Sequence, residues 1–257
     1  MADGEGEKAG RGGVQAIETG GQILSALTAL GGTSSLTGLA QRTGMPAAKV
    51  HRYLVSMSRA GLVSQDGNMG AYRIGPMAIS IGLAGLRTFQ PLKPAIEALA
   101  RARDTFGETS ALAIWAEQGP IVIGLEESLR PITMNVRIGS ILSLADTAIG
   151  HVFASLVPAD QLSTCSTHSD WKTLPAAYRK MIASQLKSFG AVSVEGRALP
   201  GVNAIAAPIY DFQGRLSAAI GVIGHESRLS VTEKSGAHAT LRKIAEEASF
   251  SSDGLLS

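Results

Sequence analysis

The sequence predicts an α+β protein in two parts, a small amino-terminal module of three helices and a hairpin ahead of a larger domain of mixed α/β texture. Three observations lead there. Apolar residues keep helical spacing between glycine stops up to about Gly61. Two short β-rich runs around a turn follow, at Leu62-Val63 and Tyr72–Ile74. Beyond residue 90, strand-like and helix-like runs mix without internal repeats. A length of 257 residues suits a small domain plus a medium one, and 45% hydrophobic against 17% charged residues supplies real cores and argues against disorder.

Element by element, residues 1–12 are Gly-rich, carry Asp3, Glu5 and Glu7, and read as a disordered tail. Ile17, Leu24, Leu27 and Leu30 place a first helix over Val14–Leu30. Gly20 and Gly21 cost it about 1 kcal/mol each relative to Ala, so its start is expected to be soft, and Gly31-Gly32 ends it. Ser34 or Ser35 caps a second helix through Thr43, Gly44 breaks the chain, and Pro46 fits the first turn of a third helix reaching about Ala60. The strands Leu62-Val63 and Tyr72–Ile74 flank a turn at Asp66–Gly70, completing a module over residues 13–75. Residues 76–90 form an apolar, helix-compatible linker weakened by Gly82 and Gly85, before a helix at about Lys93–Phe106. Residues 91–250 then hold strand-like runs at Thr109–Ala116, Pro120–Glu126, Ile132–Val136, Val192–Glu195, Asn203–Tyr210 and Leu216–Gly224. Helices are expected from near Thr147, over Ala176–Phe189 and over Thr232–Ala248.

The stretch Leu36–Leu54 has the mechanics of a helix-turn-helix. Ala40 is small where two helices cross closely, Gly44 supplies the positive φ of the turn, and Val50 plugs the second helix against the first. Val50, Leu54 and Met57 share one face of the last helix; Ala48, Lys49, His51, Arg52 and Arg59 occupy the other face and its flanks. A helix with small residues at its start and outward basic groups suits the major groove, and Arg73 on the return strand of the hairpin suits a wing beside the phosphates. Charge agrees. From Ser34 to Gly75, Arg42, Lys49, Arg52, Arg59 and Arg73 face Asp66 alone, a balance of +4, whereas residues 91–257 carry −1. The expected DNA-contacting residues are Ser35, Ala47, Ala48, Lys49, His51, Arg52, Arg59 and Arg73. The plainer alternative is a three-helix packing motif with a solvated basic face.

These segments resemble a known family. Gly13–Glu18, Leu39–Pro46, Val50–Leu54 and Tyr72–Pro76, then Arg137-Ile138-Gly139, Leu142–Gly150 and Pro200–Ile209 with Asp211 and Gly214, are similar in order and content to the IclR family of bacterial transcription regulators. The resemblance covers about residues 13–250. It implies a winged helix-turn-helix, a linker helix and a GAF/PAS-like effector-binding domain, assembled as dimers or dimers of dimers on a palindromic operator. Two departures stand out. Ala47-Ala48-Lys49 replaces a Lys-Ser-Thr-like run at the start of the recognition helix, and Gly20-Gly21 replaces an Arg-Ala-like pair.

Nothing points to catalysis. His51, His151, His168, His225 and His238 are scattered singly, and Glu126 and Glu127, adjacent on a strand, face opposite ways. Cys165 and His168 form a C-x-x-H pair with no second pair to complete a zinc site, and read as a surface loop. Phosphate-binding glycine motifs are absent. No cofactor and no metal are expected. A single cysteine fits a reducing compartment, and the longest uncharged apolar stretch, thirteen residues between Arg73 and Arg87, is too short for a membrane span of about 20 residues. A cytoplasmic, soluble chain is expected.

A binding pocket is better supported. Asp146 or Thr147 can cap a helix whose free N–H groups attract anions. The resemblance implies a small carboxylate effector there, against the backbone of Ala148 and Ile149, with Leu144, Val194, Glu195, Ala204, Gly221 and Ile223 also on the pocket. So small and apolar a lining predicts an aromatic or otherwise apolar-bodied acid. The function expected is a ligand-responsive DNA-binding repressor. The alternatives are a sensor whose basic module docks a protein and an enzyme on a GAF-like scaffold.

Overall fold

The computed structural model describes residues 13–65, 70–87, 92–128, 136–165 and 167–249. The tail at 1–12, most of the turn at Asp66–Gly70 and most of the strand expected at Ile132–Val136 lie outside the described residues. The chain divides into two compact units between Gly85 and Leu86.

In the first unit, α1 (Gln15–Ala29), α2 (Leu36–Thr43) and α3 (Ala47–Arg59) enclose Ile23, Leu27, Leu39, Val50 and Leu54. Three short strands, β1 (Thr33–Ser34), β2 (Val63–Gln65) and β3 (Tyr72–Ile74), make an antiparallel sheet in the order β1-β3-β2. Helix α1 runs unbroken through Gly20-Gly21, against the expected softness. The reason lies in packing: Gly20 is buried, and a Cβ there would meet the Met57 methyl at 3.0 Å, so glycine lets α1 lie close to α3. Ser35, not Ser34, caps α2, its hydroxyl accepting from the Gly38 N–H at 3.1 Å, and Gly44 takes φ 68° at the turn. Pro46 stands one position before α3 rather than in its first turn; its carbonyl accepts from Lys49 and Val50 N–H. The strand Thr33–Ser34, two residues long, has no pattern in the sequence to announce it. Helix α4 (Pro76–Arg87) follows, with Met77, Ile79, Ile81 and Leu83 each about half exposed.

The second unit is a three-layer α/β/α arrangement. Its elements are α5 (Leu92–Phe106), β4 (Thr109–Ala116), β5 (Gly119–Glu126), α6 (Ala148–Leu156), α7 (Ala159–Thr164), α8 (His168–Thr173), α9 (Ala176–Phe189), β6 (Val192–Glu195), β7 (Val202–Tyr210), β8 (Leu216–His225) and α10 (Ala237–Ala248). The strands form one antiparallel sheet ordered β5-β4-β8-β7-β6. Helices α5 and α10 pack Leu99, Leu241 and Ile244 against Leu112, Ile205 and Ile220 on one face. Helices α6 to α9 pack Val152, Phe153, Trp171 and Ile182 against Ala111, Ala113, Val194 and Ala206 on the other. Strand β7 is buried on both faces, so it reads as a continuous apolar run instead of alternating.

Two further expectations need correction. The helix expected over Thr232–Ala248 is interrupted: a short 3₁₀ turn at Glu233–Ser235 stops at Gly236, whose φ of 74° lies outside the helical region. Cys165 does not belong to a surface loop; it is buried in the α6–α9 core, with its thiol 3.7 Å from the Thr167 hydroxyl.

Candidate DNA-binding surface and effector cavity

Helix α3 turns Val50, Leu54 and Met57 into the core. Successive residues advance by about 100°, so the opposite face carries Ala48, Arg52, Val55 and Arg59 in one exposed stripe. Ala47 and His51 lie exposed on one flank, with half-buried Lys49 and exposed Ser56 on the other. Nothing in the sequence marks Val55 and Ser56 for this surface, because an apolar residue and a small polar one carry no charge signal. No acidic side chain forms an ion pair with Lys49, Arg52 or Arg59 among the described residues. Their charges are therefore available to a polyanion.

The other two members of the expected set are partly engaged. Ser35 uses its oxygen to cap α2. Arg73, exposed on β3, donates from Nε to the Ser64 hydroxyl at 3.0 Å across the β2–β3 pair. Thr33 pairs with Arg73 and Ser34 with Tyr72, so Ser35 leaves the sheet immediately beside the wing strand.

In the second unit a cavity of about 370 Å³ opens between the sheet and α6. Its floor follows from strand register. Thr109, Ile223, Ala204 and Val194 form one cross-strand row through β4, β8, β7 and β6, and Ala111 and Gly221 belong to the next row on the same face. Leu125, Glu127, Ser128, Val136, Leu142, Ala198 and Val202 complete much of the wall. Of the residues expected on the pocket, Asp146, Ala148, Ile149, Val194, Ala204, Gly221 and Ile223 line it. Leu144 and Glu195 do not. Leu144 is fully buried in the α6–α9 core, and Glu195 follows Val194 on the strand and so points the other way, exposed to solvent.

The loop before α6 is built by hydrogen bonds. The Ser143 hydroxyl accepts from the Ala145 and Asp146 N–H groups and donates to Asp146 Oδ2 at 3.0 Å. Thr147, rather than Asp146, is the cap: its hydroxyl donates to the Ser143 carbonyl at 2.7 Å and accepts from the Gly150 N–H at 2.9 Å. Ala148 and Ile149 N–H groups, in the first turn, have no intrahelical acceptor. Gly150 is required by close approach, since a Cβ there would lie 2.1 Å from the Ser143 carbonyl oxygen. Gly221 leaves room for Ile149 in the same way.

Charge at this end is balanced locally. Arg197 donates from Nε to the Ala145 carbonyl at 3.2 Å, pairs with Asp146 at 3.6 Å, and lies 4.8 Å over the Tyr178 ring. His151 is fully buried between Trp171 and Tyr178, with Nε2 2.9 Å from the same Ala145 carbonyl. Burial lowers its pKa to about 4; the carbonyl contact opposes that shift and Arg197 adds to it. The ring is therefore neutral at pH 7, with Nε2 the donor and Nδ1 unpartnered. Among the described residues no group of three His, Cys, Asp or Glu side chains could hold a metal ion.

Comparison with known proteins agrees with both halves. Residues 16–67 match the IclR helix-turn-helix domain, and residues 83–250 match the bacterial transcriptional regulator IclR C-terminal domain. The chain is 28% identical over 235 residues to the HTH-type transcriptional repressor AllR of Klebsiella pneumoniae, covering 88% of this chain and 86% of that one. It is 33% identical to Pseudomonas aeruginosa HmgR in a solved structure, with a TM-score of 0.57 over 92% of this chain and 97% of the other. An IclR homologue from Microbacterium hydrocarbonoxydans, solved in complex with 4-hydroxybenzoate, is 16% identical and shares the fold at a TM-score of 0.70, covering 91% and 97% of the two chains.

Proposed function

Since this chain belongs to the IclR family of bacterial transcriptional regulators, we propose that it represses transcription by holding an operator through α3 and releases it when a small acid enters the cavity over β8. The observation that carries this reading is the exposed Ala48–Arg52–Val55–Arg59 stripe on a helix whose other face is core. Arg52 and Arg59 are assigned to base edges or phosphates, Lys49, His51 and Ser35 to the flanks, Ala47 and Ala48 to close approach, and Arg73 to the backbone beside the wing. Repression is supported by the name of the Klebsiella relative.

The partner is a duplex with two half-sites. One recognition helix reads one half-site, so a palindrome with centres about 34 Å apart, or a multiple, needs two copies of the chain. The half-exposed apolar side chains of α4 favour pairing with a second copy. The effector is assigned as an aromatic or otherwise apolar-bodied carboxylic acid, its charge on the Ala148 and Ile149 N–H groups and its body over Ala204, Gly221 and Ile223. The small, apolar lining supports that class, and so does the 4-hydroxybenzoate held by a homologue of the same fold. No helix among the described residues is long and apolar enough to cross a membrane, in keeping with a cytoplasmic regulator.

The test is fluorescence anisotropy on the operator region at graded salt. Affinity should fall steeply with salt, and Arg52→Ala should cost about 1–3 kcal/mol of specific binding while leaving the fold intact. Unchanged specific binding in that variant would place the recognition surface elsewhere.

A further inference from the structure

The cavity presents a charge problem to the ligand class just assigned. Among the described residues its lining includes two carboxylates, Asp146 and Glu127, and neither Lys nor Arg. Asp146 stands immediately before the Thr147 cap, so its negative charge lies at the end of the cavity where an acid would meet the first N–H groups of α6. Left bare, it would repel such a ligand.

Arg197 removes that repulsion without entering the cavity. The residue precedes the lining residue Ala198 on the loop between β6 and β7, and three contacts fix its guanidinium. They are the Ala145 carbonyl at 3.2 Å, the Asp146 carboxylate at 3.6 Å and the Tyr178 ring at 4.8 Å. The contact with the carboxylate is long for an ion pair. The carbonyl and the ring hold the cation beside Asp146, and its charge offsets the carboxylate's there. Extending from outside, it leaves the apolar floor free.

We propose that Arg197 is a specificity-determining residue of the effector cavity: by neutralising Asp146 it lets a monocarboxylate, rather than only its neutral counterpart, occupy the end of the cavity at α6. The inference rests on the effector reading above. It adds that the Asp146–Arg197 pair sets the discrimination between charged and uncharged ligands.

The experiment is calorimetric titration of the full chain with two matched pairs, benzoate with benzamide and phenylacetate with phenylacetamide. The proteins are wild type, Arg197→Ala, Asp146→Asn and the double variant. Arg197→Ala should weaken the acids about tenfold and the amides hardly at all, an effect that shrinks at high salt. Asp146→Asn should tighten the acids, and combined with Arg197→Ala should restore them to near wild type. Equal loss for acid and amide in Arg197→Ala, or no rescue in the double variant, would make Arg197 a structural tie and overturn the inference alone. Failure of wild type to bind either acid at millimolar concentration would instead overturn the aromatic-acid reading, and the inference with it. The unliganded melting temperature of each variant identifies any that fails to fold. For such a variant, Arg197→Gln takes the place of Arg197→Ala, because it keeps a donor for the Ala145 carbonyl while losing the charge.

Discussion

Gly221 and Ile149 should behave as one unit in a double-mutant cycle. A Cβ on Gly221 would fall 2.9 Å from both Cγ1 and Cδ1 of Ile149 and 3.4 Å from the Ile205 carbonyl oxygen. Carbon pairs prefer about 3.5–4.0 Å, so Gly221→Ala forces Ile149 or all of α6 to move. The strand has little freedom to yield, because Gly221 is paired on both sides, with Ala111 and with Ala206. The expected cost is about 1–3 kcal/mol, the usual range for overpacking. Ile149→Ala removes the obstructing atoms and costs about 2–3 kcal/mol, towards the low end for Ile truncation, because the side chain already borders a cavity. The double variant should then be about 1–3 kcal/mol more stable than the sum of the two losses predicts. Urea unfolding followed by tryptophan fluorescence is the suitable assay. Both tryptophans, Trp115 and Trp171, lie in the second unit, so the DNA-binding unit does not contribute. Additivity within about 0.5 kcal/mol would refute the claim that Ile149 is what Gly221 makes room for.

Three further outcomes are expected. Thr147→Val removes the α6 cap and its bond to the Ser143 carbonyl, and should lower stability by about 1–2 kcal/mol in the same assay; no change would mean the cap is replaced by solvent. His151 titrates at about 4 in the folded chain and near 6.5 unfolded, so the unfolded state binds more protons between those values. Its contribution, up to about 3 kcal/mol, is full above pH 6.5 and lost as pH falls through 4, and His151→Gln should flatten melting temperature against pH in that window. Ile79→Glu with Leu83→Glu, one turn apart on the exposed face of α4, should lower the mass seen by sedimentation at micromolar concentration; an unaltered assembly would move the self-contact off this helix.

What the residues disclosed depended on how far each signal reached along the chain. Ser35, Gly44 and Gly61 are local punctuation, and each acts where its chemistry places it. Strand β4 is legible because it runs for eight residues just after the glycine break at Gly107, whereas β1, two residues between a glycine pair and a helix cap, has no pattern to read. Helices α7 and α8 have six residues each, too few for a period to emerge. The cavity was legible from one side only. Gly221 and Ala204 announced a small-residue floor, but Thr109 and Ala111 join it through register with β8, which no local pattern encodes. Glu195, which the resemblance implies on the pocket, faces away from it by a single step of strand alternation. Gly20 counts against a helix by propensity alone, yet its lack of a side chain is what lets two helices touch.

The β4–β8 pairing has a consequence for the order in which this protein matures. Ala111 and Gly221 are neighbours in the sheet yet 110 positions apart in the chain. Hairpins such as β4–β5 and β7–β8 close over short loops, but that seam must close a long one, and contacts of high sequence separation form late. The cavity straddles the seam, taking Thr109 and Ala111 from one strand and Gly221 and Ile223 from the other. The helical module, built from contacts within residues 13–75, is complete in a nascent chain long before β8 is synthesised. Each new molecule thus has its helix-turn-helix folded before its cavity exists, and a ligand of the class proposed above, present during synthesis, would act as a template for the last strand pairing.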